Sequence, residues 1–393
     1  MAPCARAKAA RLLSMKTQAL PLQVHSPAPD LERIDPRYRP VWEGRPTEQQ
    51  RALYLYFLPH RSSQPALAPT RPRVLKWYCP FADQRTFPSG HRYCINVYTG
   101  CGHGCLYCYA TAYAPAKPSP KPDFVRHLAR DLADLDEFDV PPAPVHLANS
   151  TDPFQPLELT LGHTRQALNL LLRYRHRFTT VTLLTKNPAL AATPDYLDLL
   201  RALGRLPSSH PMAAALAASG TPAVQVEVSL AMWREEARAF WEPGAPPVAH
   251  RLEGITALRA AGVPVVLRID PLFPRSPLPL NPMKRLSDFD LVEAHTLAEL
   301  EQLVRFARQV GVRHVVYSVA KIVTARDQGL RPPMRNLLEV YRALARPEPL
   351  VWRGRSWRLP QRVQHQLAKP FLGLCTRYGL EAKHCRTNLL QTA

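Results

Sequence analysis

From Tyr93 onward, short β-rich runs alternate with helical stretches about six times, and this rhythm limits the fold more than any other feature. The pattern predicts strands at Ile95–Tyr98, Val145–Ala148, Thr180–Thr185, Ala223–Leu230, Val263–Asp270 and His314–Val319. Between them it predicts helices at Pro122–Asp136, Leu161–Tyr174, Pro194–Gly204, Ala249–Ala261, Leu297–Val310 and Pro333–Ala345, two of them ended by Gly262 and Gly311. Such alternation implies parallel strands joined by crossovers. Six units are too few for a closed eight-unit barrel, so the expected fold is α/β: an open, partial (β/α)6 TIM-like barrel. In parallel barrels chemistry sits at the C-terminal ends of the strands, so the polar residues just after each strand are the candidates.

Around this barrel, expected over residues 81–345, lie a proline-rich basic lead-in (1–80, partly disordered, with one helix at Thr47–Leu58) and a C-terminal extension (346–393). No run of about 18 apolar residues exists, and the basic N-terminus has no apolar core. A cytoplasmic protein that neither spans nor binds membrane is expected. The formal net charge of +20 suits a polyanionic partner, and nucleic acid is the obvious one. The arginines are spread along the chain rather than massed in one block.

Eight cysteines in a chain without an export signal read as metal ligands or small buried side chains rather than disulfides. Three of them, Cys101, Cys105 and Cys108, fall within eight residues of a glycine-rich loop directly after the first strand. Glycines let such a loop curl until its sulfurs converge. Thiolates suit iron–sulfur clusters and zinc. Three ligands on a [4Fe–4S] cluster leave one iron open to chelate a cofactor. The alternative is a zinc-binding nucleic-acid protein with His103 as fourth ligand, although paired short-spaced knuckles are absent. Cys79, Cys94, Cys375 and Cys385, with Cys4, remain as incidental thiols or material for a second metal site.

The string Thr99-Gly-Cys101-Gly-His-Gly-Cys105-Leu-Tyr-Cys108-Tyr-Ala110 resembles the radical S-adenosylmethionine (SAM) superfamily, and within it the spore photoproduct lyase-like subgroup, often labelled DNA repair photolyases. Ser150–Pro156 with Thr164-Arg165, Thr185–Asn187, Glu242-Pro243 with Arg251-Leu252, and Asp270–Pro274 carry the likeness on to about Lys321. The resemblance implies a [4Fe–4S] cluster on Cys101, Cys105 and Cys108, and S-adenosyl-L-methionine on its open iron. Reductive cleavage of SAM would yield a 5′-deoxyadenosyl radical, with an electron donor such as flavodoxin or ferredoxin. Tyr107 would lie against the adenine. Ser150, Thr151 and Asp152 would hold the SAM ammonium in place of the superfamily's usual Gly-Gly-Glu. Lys186 and Ser229 would reach its carboxylate. Arg268 and Asp270 are expected to pair with each other, and Tyr317 and Ser318 to face the substrate. The resemblance favours a nucleic-acid substrate; a protein or small-molecule substrate is the alternative. Spore photoproduct lyase has a hydrogen-donating cysteine after the second strand. Asn149 and Ser150 stand there in this chain, and an O–H bond is a poorer hydrogen-atom donor, so strict spore photoproduct lyase activity is not expected.

Overall fold

A computed structural model describes residues 74–76, 93–137, 142–278, 284–353 and 355–385. The lead-in apart from Val74–Lys76, with its helix at Thr47–Leu58 and Cys4 and Cys79, lies outside the described residues.

The strands are β1 (Leu75–Lys76), β2 (Tyr93–Ile95), β3 (Ala143–Leu147), β4 (Phe178–Thr185), β5 (Val224–Ser229), β6 (Val265–Leu272), β7 (His314–Val319) and β8 (Glu381–His384). They form one 8-stranded sheet in sequence order. Neighbours from β2 to β8 are parallel, and β1 joins β2 antiparallel at the edge. Long apolar, β-branched runs such as Val181–Leu184 and Val265–Leu267 suit strands buried on both faces.

The main crossover helices are α1 (Phe124–Glu137), α2 (His163–Arg173), α3 (Pro194–Leu203), α4 (Val248–Ala260), α5 (Leu297–Gln309), α6 (Pro332–Ala345) and α7 (Gln361–Arg377). The N-terminus of α5 is fixed by a capping box. Glu299 N–H donates to Thr296 Oγ1 at 3.2 Å, and the Glu299 carboxylate accepts from Thr296 N–H at 2.7 Å. Gly262 and Gly311 follow α4 and α5 with φ of 78° and 75°, the left-handed geometry that ends a helix.

The partial-barrel expectation matches this architecture, with three local differences. The first predicted strand is two pieces, Tyr93–Ile95 in the sheet and Tyr98–Thr99 in a separate hairpin with Ser119–Pro120. The helix expected over Leu161–Tyr174 begins after Gly162, whose φ of 60° separates it from a short helix at Leu157–Leu161. The C-terminal extension contributes β8 beside β7 and a hairpin, Val351–Trp352 with Ser356–Arg358, paired to Ile322–Val323. Among the described residues, no helix is long and apolar enough to cross a membrane.

Candidate active site

Cys101, Cys105 and Cys108 line one cavity at the C-terminal ends of the parallel strands, together with Tyr107, Ser150, Thr151, Asp152, Lys186 and Ser229. The expected cluster ligands and SAM contacts therefore meet here. Two segments hold the cysteine loop. The buried Gln155 side chain accepts from Gly102 N–H at 2.8 Å and donates to the Gly100 carbonyl at 3.3 Å and to Thr151 Oγ1 at 2.9 Å. Against the other side runs 241–244: Gly244 N–H donates to the His103 carbonyl at 2.9 Å, and Leu106 N–H to that of Trp241 at 2.9 Å. A Cβ on Gly244 would stand 2.3 Å from the Gly102 carbonyl oxygen, so only glycine permits this approach.

Two of the thiols, Cys101 and Cys105, are costly to ionise without a metal. Burial, then Asp152 and the other two thiols, push Cys101 well up. Burial pushes Cys105 up to about 12, with Lys186 opposing and Glu242 and Cys108 adding to the rise. Metal cations reverse that balance, because a coordinated thiol deprotonates. His103 Nδ1 is 3.1 Å from the Gly244 carbonyl, and Nε2 is 3.0 Å from Asp152 Oδ2. A four-iron cluster spreads its thiolates over the corners of a cube, and the donor set fits it.

Beneath the cavity lies a buried charged network. Lys186 Nζ donates to Ser229 Oγ at 2.7 Å and Tyr107 Oη at 3.1 Å, and pairs with Glu242 Oε1 at 2.9 Å. Glu242, fully buried, also pairs with Arg251 at 2.5 Å and accepts from the Tyr107 hydroxyl. Burial opposes ionisation of Glu242, but Arg251 and Lys186 hold its carboxyl well below the usual range. Burial likewise works against Lys186, and Glu242 more than compensates and holds its ammonium up. Tyr107 thus sinks its hydroxyl into this network while its ring packs edge-on against Phe273 at 5.5 Å.

The segment after β3 splits its roles. Asp152 is buried and spends its carboxylate on Phe154 N–H (2.8 Å), Thr185 Oγ1 (2.8 Å), Lys186 N–H (2.7 Å) and His103. The Thr151 hydroxyl donates to the Gly100 carbonyl at 2.5 Å. Both residues therefore brace the loop rather than present acceptors to the cavity. Ser150 Oγ donates to Asn149 Oδ1 at 2.9 Å and lies 3.0 Å from the Tyr113 hydroxyl, which leaves it acceptor capacity.

On β6, Arg268 pairs with Asp270 at 2.7 Å, as expected, and with Glu227 of β5 at 2.5 Å. Glu227 was not singled out from the sequence, although the alternation Gln225, Glu227, Ser229 marks one polar face of that strand. Ser318 lines the cavity and donates to Asp270. Tyr317 does not line it. That ring packs at 5.9 Å from Phe371 and 5.6 Å from His384, because successive strand residues point to opposite faces. Cys94, Cys375 and Cys385 are buried.

Solved structures of spore photoproduct lyase superpose on the chain with a TM-score of 0.51 at 13% identity, covering 80% of this chain and 79% of that one. The chain has the spore photoproduct lyase fold. A spore photoproduct lyase mutant solved with a dinucleoside spore photoproduct superposes with a TM-score of 0.50 at 13% identity, over 79% of this chain and 78% of that one. Among curated proteins, uncharacterized proteins of Mycobacterium tuberculosis and Mycobacterium bovis are 30% identical over 198 residues, which is 47% of this chain. The match spans 50% of the length of those relatives. No family model matches. At such identity the spore photoproduct lyase likeness establishes the fold, and the cavity's chemistry rests on the residues above.

Proposed function

We propose that this protein is a radical SAM enzyme. Cys101, Cys105 and Cys108 would hold a [4Fe–4S] cluster, and SAM would occupy the adjoining cavity. The observation that carries this reading is the placement of three thiols of one glycine-rich loop in one strand-end cavity. Cluster and SAM, when bound, supply one-electron reductive cleavage of a carbon–sulfur bond.

The chain's own residues orient and brace. The Lys186 ammonium meets Glu242, Ser229 and Tyr107, so its three protons are committed. Its donation to Ser229 Oγ leaves the serine O–H to point into the cavity as a donor to a carboxylate. Lys186 thus acts through Ser229 rather than by direct contact. The Ser150 hydroxyl is placed to accept from an ammonium. Arg268 and Asp270 fix the far wall, and Asp152 locks the ends of β3 and β4 together.

Nucleic acid is the substrate class we favour. A second groove shares Ser318, Val319 and Lys321 with the cysteine cavity and is also lined by Arg353, Arg358, His365 and His384. No carboxylate is among its described lining residues. Trp352, 50% exposed, stands on the adjoining hairpin with its ring 4.7 Å from that of Trp357. Cations beside an exposed aromatic suit a phosphodiester strand and its bases. The net charge of +20 and the dinucleoside lesion bound by a protein of this fold support the same reading.

Anaerobic incubation with SAM and dithionite should release 5′-deoxyadenosine and methionine. An oligonucleotide should bind with an affinity that falls steeply with salt. An iron-loaded protein that leaves SAM intact would sink the enzymatic reading. Salt-independent binding, or none, would sink the nucleic-acid reading.

A further inference from the structure

Arg331 stands immediately before α6, far along the chain from the cysteines, yet its guanidinium ends on their loop. Nη2 donates to the Leu106 carbonyl and, at 3.2 Å, to the Cys105 carbonyl. The same connecting segment makes a second tie, from Arg326 N–H to the Thr111 carbonyl at 2.7 Å. The connection between β7 and α6 is thus tied at Arg326 to the turn that follows the cysteine loop and at Arg331 to the loop itself.

What Arg331 lacks is an anion. Among the described residues no carboxylate acts on it, and the ionisable groups that do are the thiols of Cys108 and Cys105. Its Nε is buried without a hydrogen-bond partner. A half-buried guanidinium held only by neutral carbonyls is costly, because burial strips its hydration without returning an opposite charge. Elsewhere around this cavity the buried cations Lys186, Arg251 and Arg268 each have a carboxylate. Arg331 differs: its guanidinium ends on the backbone of the cysteine loop, at the Cys105 and Leu106 carbonyls. Three thiolates on a four-iron core carry net negative charge, and one-electron reduction increases it.

We propose that Arg331 is the counter-charge of the cysteine-bound cluster and a positioning residue that raises its reduction potential. This rests on the cluster reading given above. A low-potential donor passes one electron to the oxidised cluster, with no bond made or broken. A fixed cation stabilises the more negative product, so the couple moves to less negative potential. Its hydrogen bonds to the Cys105 and Leu106 carbonyls act in the same direction, by drawing electron density away from the loop.

The test uses the full-length, anaerobically reconstituted protein and two variants, Arg331→Gln and Arg331→Lys. Iron and sulfide content is measured first, and then the midpoint potential, from the electron paramagnetic resonance signal of the reduced cluster. Arg331→Gln should show a more negative midpoint than wild type, and Arg331→Lys should remain near wild type because the charge persists. The signal reports only loaded molecules, so a variant with partial iron content still decides the matter. A loaded Arg331→Gln protein with an unchanged midpoint overturns the proposal. So does Arg331→Lys shifting as far as Arg331→Gln, which would assign the effect to the fork geometry. Wild-type protein that takes up no iron refutes the cluster reading itself, a result distinct from either.

Discussion

Two buried charged networks flank the cavity, and they are not equivalent. Beside the cysteine loop, Glu242 serves two cations, Lys186 and Arg251. Across the cavity, Arg268 serves two carboxylates, Glu227 and Asp270, with Lys321 adding a second cation near Asp270. The first network has one anion that everything depends on, and an excess of positive charge next to the thiols. The second is balanced and redundant. The lesson is that the loop-side network is tied to the cysteine loop electrically and mechanically, whereas the far one is a wall.

Removing the single anion should have the largest effect. Glu242→Gln leaves Lys186 and Arg251 buried against each other and should cost about 3–5 kcal/mol in denaturant unfolding, because unpaired buried charge is expensive. A loss below about 1 kcal/mol would mean that water or another group already screens the pair. Next, Gly244→Ala forces a methyl into the Gly102 carbonyl and should cost about 1–3 kcal/mol by overpacking, with iron loading reduced in parallel. Full loading at native stability would show that the loop yields.

His295 is buried beside Phe273, with ring centroids 6.2 Å apart. Its Nδ1 is 3.0 Å from the Ala231 carbonyl, and its Nε2 accepts from Phe273 N–H at 3.1 Å, so the ring is held neutral. Burial, aided by Arg275, pulls its pKa down to about 3. Its contribution is complete above about pH 6.5, where the unfolded histidine is also neutral, and is lost as pH falls toward 3. Stability should drop by about 1.4 kcal/mol per pH unit in that window on this account, and His295→Gln should flatten the slope. An unchanged slope in the variant would place the acid sensitivity elsewhere. The smallest effect is expected from Asp270→Asn. Arg268 retains Glu227, so about 1–2 kcal/mol should be lost. A cost equal to that of Glu242→Gln would erase the contrast between the networks.

Much of this was legible in the residues. The strand and helix rhythm gave the parallel sheet because apolar β-branched runs alternate with amphipathic stretches. The cysteine spacing gave the site because three thiols in one glycine-rich loop have few other uses. Lys186 and Ser229 were each found as polar residues at a strand end. Their contact was not visible, because it depends on the pairing of β4 with β5. The commitment of Asp152 and Thr151 to bracing was hidden for the same reason: spacing shows which residues reach the cavity, not which way their donors and acceptors are already satisfied. Glu242 and Arg251 were noted only as matching segments. Nothing local marks them as a buried pair, since each is ordinary in a helical surface context. Arg331 carried no signal, because its partners are backbone carbonyls more than 200 residues away.

The central claim is that Cys101, Cys105 and Cys108 together hold a four-iron cluster. Its most direct test is anaerobic reconstitution of wild type beside the variant with all three cysteines replaced by alanine, with iron, sulfide and zinc counted per chain. Wild type should carry about four irons with matching sulfide, and the variant neither. A single zinc in wild type, or equal iron and sulfide in both proteins, would contradict it.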